Sequence, residues 1–263
     1  MGTAYIVAAT RTAGGKRDGR VRGWHPVDLA AATLDEVVAR AGLPAEAVDD
    51  VIMGCVSQVG EQGLHFGRNA VLASGLPQSV PAVTIDRQCG SSQQSIHFAA
   101  QAIMAGNGDL FIAGGVEHMG HLSILHGLDV NPQVSKQVAK ASMMMGVTAE
   151  LLGRMNDISR QSQDEFALRS HQRAFEAQQQ GRWDNEIIPI EGHDERGFKH
   201  LLRADEVIRP DTTLDDLAAL KPSFVPKVGT VTAGSSSGFS DGASALLITS
   251  GLKAQQLELK PRA

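Results

Sequence analysis

The chain has 263 residues, of which 42% are hydrophobic, 20% charged and 4% aromatic, with 28 glycines and a formal net charge of −5. That length and apolar content can bury a core of one large domain or two smaller ones, so disorder is not the default. The acidic balance argues against a nucleic-acid binder, which carries a basic face, but leaves room for a small anionic ligand, which needs a local positive patch alone.

Short apolar runs alternate with helical patterns along the first half. AYIVAAT (4–10) reads as a buried strand. PVDLAAATLDEVVARAG (26–42) has Pro at its start, apolar residues at helical spacing and Gly42 as a stop. VDDVIMGCVSQ (48–58) is strand-like, and GRNAVLASG (67–75) a short helix ending in Gly75. AVTIDRQ (82–88) is a strand, followed at once by a helix from Gly90 or Ser91 to Ala105. DLFIAGGVE (109–117) is a further strand. This rhythm predicts an α/β fold, a mixed or mostly parallel sheet with helices on its faces. From Met119 to Val228 the chain is more polar and reads as an insertion over the core. Its one strong helix spans 159–181, with Ser159 as N-cap, Gly181 as stop, and Phe166, Ala167, Ser170 and Ala174 on one face. The core pattern resumes at 229, and SALLITS (244–250) reads as the final strand.

Two cysteines are too few for a secreted disulfide scaffold. The start MGTAYIVAATRT lacks the basic end and apolar middle of a signal peptide. It also has Ile6 where a myristoylation pattern needs Ser or Thr. No apolar run reaches the roughly 18 residues of a membrane span. The expected setting is soluble and reducing, most simply the cytoplasm. GGKR (14–17) is not a phosphate loop: it lacks the upstream Gly spacing and a Ser or Thr after Lys.

Cys89 stands between a strand and the helix that follows it. That helix is apolar or small nearly all round (Ile96, Ala99, Ala100, Ala102, Ile103, Met104), which predicts burial on several sides. Its first turn leaves backbone N–H groups free, and these stabilise a thiolate and can bind an oxyanion. From position alone, Cys89 is either a nucleophile or a small residue filling a core. Cys55, placed mid-strand, reads as core.

The segments VAATRTAGGKRDG, VIMGCVSQVGEQ, GRNAVLASGLPQSVPAVTIDRQCGSSQQSIHFAAQAIMAG, DLFIAGGVEHM, MMMGVTAE, SRQSQDEFALRSHQRA and GTVTAGSSSGFSDGASALLITS together closely resemble a thiolase, in order and over nearly the whole chain. The resemblance implies a thiolase-like layered core half (βαβαβαββ) built from 1–118 and 229–263, with an α-rich loop domain inserted at 119–228. It implies acyl transfer between coenzyme A thioesters, with Cys89 as nucleophile and an acyl-cysteine intermediate. Coenzyme A and acyl-CoA enter as substrates, with no tightly bound cofactor and no metal. By motif, Met145 and Phe224 fall beside the pantetheine, Arg209 near the adenine and phosphate, and Ala233 and Ser237 at backbone and amide contacts. An anionic ligand favours a nearby Arg; Lys199, Arg203, Lys221 and Lys227 add a diffuse field.

The family's second half supplies an Asn in an NEAF-like motif, a His in a GHP-like motif and a second Cys in a CxGxG-like motif. None of these occurs here. The expectation is a nucleophile without its base, lacking roughly 100–150 residues of chain. Of the local histidines, His97 lies on the same helix about 12 Å further along its axis, too far for a hydrogen bond. His118, in GGVEHM where the family usually has ESM, ends a strand that approaches the active site and is a candidate substitute base, with a surface or loop histidine as the favoured reading. His121 and His126 fall in a variable stretch and are assigned nothing. Gly120–Ser142 is shorter than usual, and Ser235 replaces a frequent Asn; Gln93 and Gln94 replace residues that are small or apolar in short-chain members, which points toward bulkier acyl or ring-bearing substrates. The resemblance also implies a homodimer paired near the AVTIDRQ strand, a homotetramer, or a partner supplying the second half. Two further readings stand beside it: a catalytically inactive subunit that binds CoA esters or a partner, and a plain α/β structural fragment.

Overall fold

The computed structural model describes residues 2–123, 132–137, 144–194 and 196–263. In chain order the elements are β1 (Ala4–Arg11), β2 (Gly15–Lys16), α1 (Pro26–Ala41), β3 (Asp50–Gly54), α2 (Phe66–Ala73), β4 (Ala82–Ile85), α3 (Ser91–Ala105), β5 (Leu110–His118), α4 (Pro132–Gln137), α5 (Met145–Met155), α6 (Arg160–Gln179), β6 (Ile190–His193), β7 (Lys199–Leu202), α7 (Leu214–Ala218), β8 (Ser240–Ser250) and α8 (Gly251–Gln256). They form two compact units, one of Met1–Gly127, Asp184–Glu206 and Ser240–Ala263, the other of Leu128–Trp183 and Val207–Phe239.

The first unit is a mixed sheet in the order β1-β8-β5-β3-β4, with β2 also paired to β8. β5, β3 and β4 run parallel, while β8 is antiparallel to both β1 and β5. The βαβαβαββ pattern is realised by β1, α1, β3, α2, β4, α3, β5 and β8. β4 closes one edge of the sheet.

The local signals for α1 act as read. His25 Nδ1 accepts from Val27 N–H, Pro26 opens the first turn, and Gly42 ends the helix at φ 66°. Only a residue without Cβ takes that left-handed angle without strain. α3 ends in the same way at Gly106, φ 77°. It rests on the sheet through Ala99 and Ile103, which meet Ile52, Phe111, Ala113 and Ile248. Burying each larger side chain contributes about 1.5–3 kcal/mol. Alternate residues Val51, Met53 and Ile112 are fully buried as well, so the central strands are covered on both faces.

α3 is not buried on all sides: Gln93, His97, Phe98, Gln101 and Met104 are exposed. Ile103 is buried as read, while Ile96 is half-buried.

The second unit is helical, carrying α4 to α7. Ser159 caps α6 by accepting from Ser162 N–H at 3.1 Å, and Gly181 follows the helix at φ 66°. The buried face differs from the periodicity. Phe166 is 65% exposed, whereas Asp164 and Ala167 are buried. Asp164 is drawn inward by Arg160, whose Nε donates to it at 2.8 Å.

The units divide the chain differently from the expected 119–228 insertion. Residues 184–206 group with the sheet and 229–239 with the helices. Arg11 holds the first of these through Glu186 Oε1 at 2.7 Å and Asp205 Oδ1 at 2.7 Å. Glu150 on α5 holds the second by accepting from Thr230 and Val231 N–H at 2.9 Å each.

Candidate active site

A cavity of about 430 Å³ opens in the first unit where β3 and β5 end and β8 begins. Crevices at the carboxyl ends of parallel strands are where α/β sheets place their ligands. Its walls include Cys55, Gln88, Cys89, Ser92, Glu117 and Asp241.

Cys89 is exposed and stands on the turn between β4 and α3. Gln88, just before it, has φ 51°. A non-glycine residue there is strained, and such strain concentrates at functional turns. Asp86 Oδ1 accepts from Gln88 N–H at 2.7 Å. Gly90 and Ser91 N–H donate back to the carbonyls of Arg87 and Gln88, at 3.1 and 3.0 Å. Gly90 occupies the N-cap of α3 without a side-chain cap. Ser91 N–H is thus taken by the Gln88 carbonyl, and no side-chain oxygen caps the amides that follow it.

The turn sits close to the sheet because Gly54 and Gly115, neighbours in register, lack side chains. A Cβ on Gly54 would overlap the Ser91 carbonyl carbon and lie 2.8 Å from Ser91 O. One on Gly115 would overlap Ser92 Oγ.

Cys55 lies one residue past the end of β3, rather than in mid-strand, and lines the same cavity. It is buried, as expected of a core cysteine. Burial first, then the nearby Glu117 charge, pushes its thiol up to about 12. At neutral pH it stays a neutral thiol. Gln62 Nε2 lies 3.3 Å from its sulfur.

Glu117 is held rather than free. Oε2 accepts from Val56 N–H at 3.0 Å, and Oε1 from Ser57 N–H at 3.3 Å and Gln62 Nε2 at 2.9 Å. Gln62, fully buried, also accepts from His118 N–H at 2.8 Å. Sequence reasoning missed Gln62, Glu117 and Asp241. A local clue existed in the polar residues bracketing apolar runs, but their meeting depends on distant pairing.

His118 is fully buried, contrary to the surface reading. Its Nδ1 lies 3.5 Å from Asp241 Oδ1, and its ring stacks on His121 at 3.9 Å. The register places His118 opposite Asp241 on β8, which carries both inward. Burial lowers the His118 pKa against the pull of Asp241, and burial raises that of Asp241 against the Gly120 N–H and His118. His121 is exposed, held between Glu61 Oε2 and the Arg22 carbonyl, both 2.8 Å away; these outweigh its partial burial and raise its pKa. His97 is exposed on α3. No histidine is among the cavity's lining residues. His126 lies outside the described residues.

Met145, Arg209, Phe224, Ala233 and Ser237 all belong to the second unit. Met145 is exposed at the start of α5. The Phe224 ring lies against Gly146, where a Cβ would overlap it. Arg209 is exposed, and its N–H donates to His171 Nδ1 at 3.3 Å. Ala233 and Ser237 are exposed around a loop closed by Ser235 Oγ, which accepts from Thr232 N–H at 3.0 Å. Among the described residues no cluster suited to a metal ion is found, and no helix is long and apolar enough to cross a membrane.

Residues 4–251 match the family model described as Thiolase, N-terminal domain, and the chain belongs to the thiolase family. It is 54% identical over 260 residues to a 3-ketoacyl-CoA thiolase of Alcanivorax borkumensis, covering 98% of this chain and 66% of that protein. A 3-ketoacyl-CoA thiolase of Acinetobacter baumannii is 54% identical over 259 residues, with the same coverage of 98% and 66%. Among solved structures, a Bacillus anthracis acetyl-CoA acetyltransferase superposes with a TM-score of 0.87 at 37% identity, over 99% of this chain and 68% of that one. Human mitochondrial 3-ketoacyl-CoA thiolase gives 0.87 at 32% identity, over 99% and 69%. The chain thus spans just under two thirds of the length of the curated relatives it matches.

Proposed function

We propose that the chain carries the nucleophilic part of a thiolase acting on 3-ketoacyl-CoA or acyl-CoA thioesters. The observation that supports this is the exposed Cys89 thiol on a left-handed turn, at an uncapped helix start, opening on a cavity. In this reading the Cys89 thiolate attacks the substrate carbonyl, and the acyl group moves to sulfur as the CoA-bearing fragment leaves. A second CoA thiol, or the carbanion of acetyl-CoA, then accepts the acyl group and frees Cys89. Amides at the start of α3 would stabilise the oxyanion that forms on the way.

Met145 and Phe224 are proposed to flank the pantetheine, Arg209 to meet the phosphate and adenine end, and Ala233 and Ser237 to contact the backbone amides of CoA. The names of the relatives and the exposure of these residues favour that assignment. Pairing of two copies along the exposed edge strand β4 is proposed as well, supported by its place at the end of the sheet. A monomer in light scattering overturns the pairing.

The cavity offers Cys89 no histidine, which favours a second reading, binding of CoA esters without turnover. One experiment separates the two. The protein is incubated with an acyl-CoA and the peptide bearing Cys89 is weighed. An acyl adduct, absent in Cys89→Ser, supports the nucleophile. Binding without any adduct leaves the inactive reading. Fast thiolysis abolished by Cys89→Ser points to a base within this chain and brings His118 back.

A further inference from the structure

We infer that Ser91 is a positioning residue whose hydroxyl clamps Gln88 in the left-handed conformation that presents the Cys89 sulfur to the cavity. This rests on the proposed role of Cys89.

A serine at a helix start ordinarily occupies the N-cap and accepts from the helix's own amides. Ser91 does not. The N-cap is Gly90, and no side chain caps the helix. The Ser91 hydroxyl turns back instead. It accepts from Arg87 N–H at 2.8 Å and donates to the Gln88 carbonyl at 2.6 Å. Ser91 N–H donates to that same carbonyl at 3.0 Å. The two peptide groups that bracket residues 87 and 88 are thus both tied to residue 91.

The tie lies where the backbone needs it. Gln88 has φ 51°, an angle that a side chain with Cβ resists and that persists only when its surroundings over-determine it. Ser91 is 3% exposed, so loss of its hydroxyl leaves the Arg87 N–H without that partner in a desolvated place. Ser91 is itself seated on Gly54, whose missing side chain lets its backbone touch the sheet. Position is therefore passed from sheet to Ser91, from Ser91 to Gln88, and from Gln88 to the sulfur next to it. Both hydrogen-bonding roles of the hydroxyl are taken up within the turn, which is why it is read as a clamp and not as a group that meets substrate.

The test is the rate at which iodoacetamide alkylates Cys89 in the intact polypeptide, read by peptide mass. Ser91→Ala is expected to slow it by about tenfold, the worth of one strong hydrogen bond. Ser91→Thr, which keeps the hydroxyl, should restore it. Gln88→Gly alone is measured as the reference for the double variant, because glycine accepts the left-handed angle freely. Placed together with Ser91→Ala, Gln88→Gly should recover most of the loss. A contribution of Ser91 to general stability would not be repaired at residue 88. If Ser91→Ala reacts at the parent rate, or Gln88→Gly fails to rescue it, the clamp is overturned. Should Ser91→Ala not fold, Gln88→Val replaces it, since a β-branched residue resists positive φ most. It should be slower than Gln88→Gly, and equal rates overturn the clamp. An unmodified parent Cys89, inert to both iodoacetamide and acyl-CoA, instead overturns the nucleophile reading on which the clamp rests.

Discussion

Gly54→Ala tests how closely α3 must approach the sheet. The new methyl would overlap the Ser91 carbonyl carbon and the Ser92 nitrogen, and would stand 2.8 Å from Ser91 O, where ordinary contact begins at 3.4 Å. Backbone cannot swing aside as a side-chain tip can. The overlap with the Ser91 carbonyl carbon and the Ser92 nitrogen governs, and the first turn of α3 must therefore back away by about 1 Å. Overpacking of this kind costs about 1–3 kcal/mol. In a protein of this size that lowers the unfolding temperature by about 2–4 °C per kcal/mol. The same shift carries Cys89 with it, so alkylation of the thiol should slow as stability falls. Gly238→Ala is the control, since a Cβ there meets nothing within 4 Å and its φ is not positive; it should stay within about 0.5 kcal/mol. Thermal unfolding and Cys89 alkylation are read on both variants. If Gly54→Ala matches Gly238→Ala in both, the close approach of helix to sheet does not position the sulfur.

Cys55 and Cys89 share a cavity but should differ sharply toward iodoacetamide near neutral pH: Cys89 reacts first, while Cys55, with its thiol held up to about 12, reacts only on unfolding. Peptide masses over time decide it, and equal rates in the folded protein refute the burial argument. His118, lowered by burial, contributes stability that is full above its ordinary 6.5 and lost as the pH falls through its lower folded value. His121, raised by the Arg22 carbonyl and Glu61 against its burial, has the opposite sign, present below 6.5 and lost as the pH rises through its folded value. Unfolding temperatures across this range should lose their acid-side fall in His118→Gln and keep it in His121→Gln; a fall that survives in His118→Gln removes His118 as its source. Glu150→Ala should destabilise the helical unit by about 1–3 kcal/mol for each backbone N–H left unpaired, at Thr230 and Val231. Unchanged urea unfolding of the variant counts against that brace.

What could be read from the chain was what is local. Helix α1 announces itself because Pro26, the apolar spacing and Gly42 all act within a few residues of one another. The placement of Cys89 between strand and helix was legible for the same reason: the three adjoin in sequence. Errors arose where a residue's setting is decided far away. Cys55 follows an unbroken apolar run, yet the ladder stops at Gly54, because the next amides, of Val56 and Ser57, turn to Glu117. His118 looks like a polar strand end until Asp241 arrives beside it on β8. The start of β8, with Ser240, Asp241 and Gly242, has no apolar pattern; its partners on β2 and β5 make it a strand. The hairpin of β6 and β7 went unseen, as did its link through Glu186 and Asp205 to Arg11. In α6 the amphipathic reading turned Phe166 inward, but the Arg160–Asp164 pair occupies the buried side.

The electrostatics of the cavity bear on how much of an acyl transfer this chain can perform. Glu117 has its oxygens engaged by the Val56 and Ser57 N–H groups and Gln62 Nε2. Those three donors fix the carboxylate in place on the cavity wall. Asp241 accepts from Gly120 N–H at 2.7 Å and faces the buried His118. Arg11 is joined to Glu186 and Asp205. Cys55 is held as a neutral thiol. No histidine lines these walls, and of their acidic groups Glu117 is tied by three donors and Asp241 faces His118, while Cys89 is exposed just before α3. Formation of an acyl-sulfur bond needs chiefly a positioned thiolate and oxyanion donors; release of the acyl group to a second thiol needs a base near that thiol as well. On these grounds acylation of Cys89 should outrun its deacylation in this chain, and the adduct should accumulate rather than turn over.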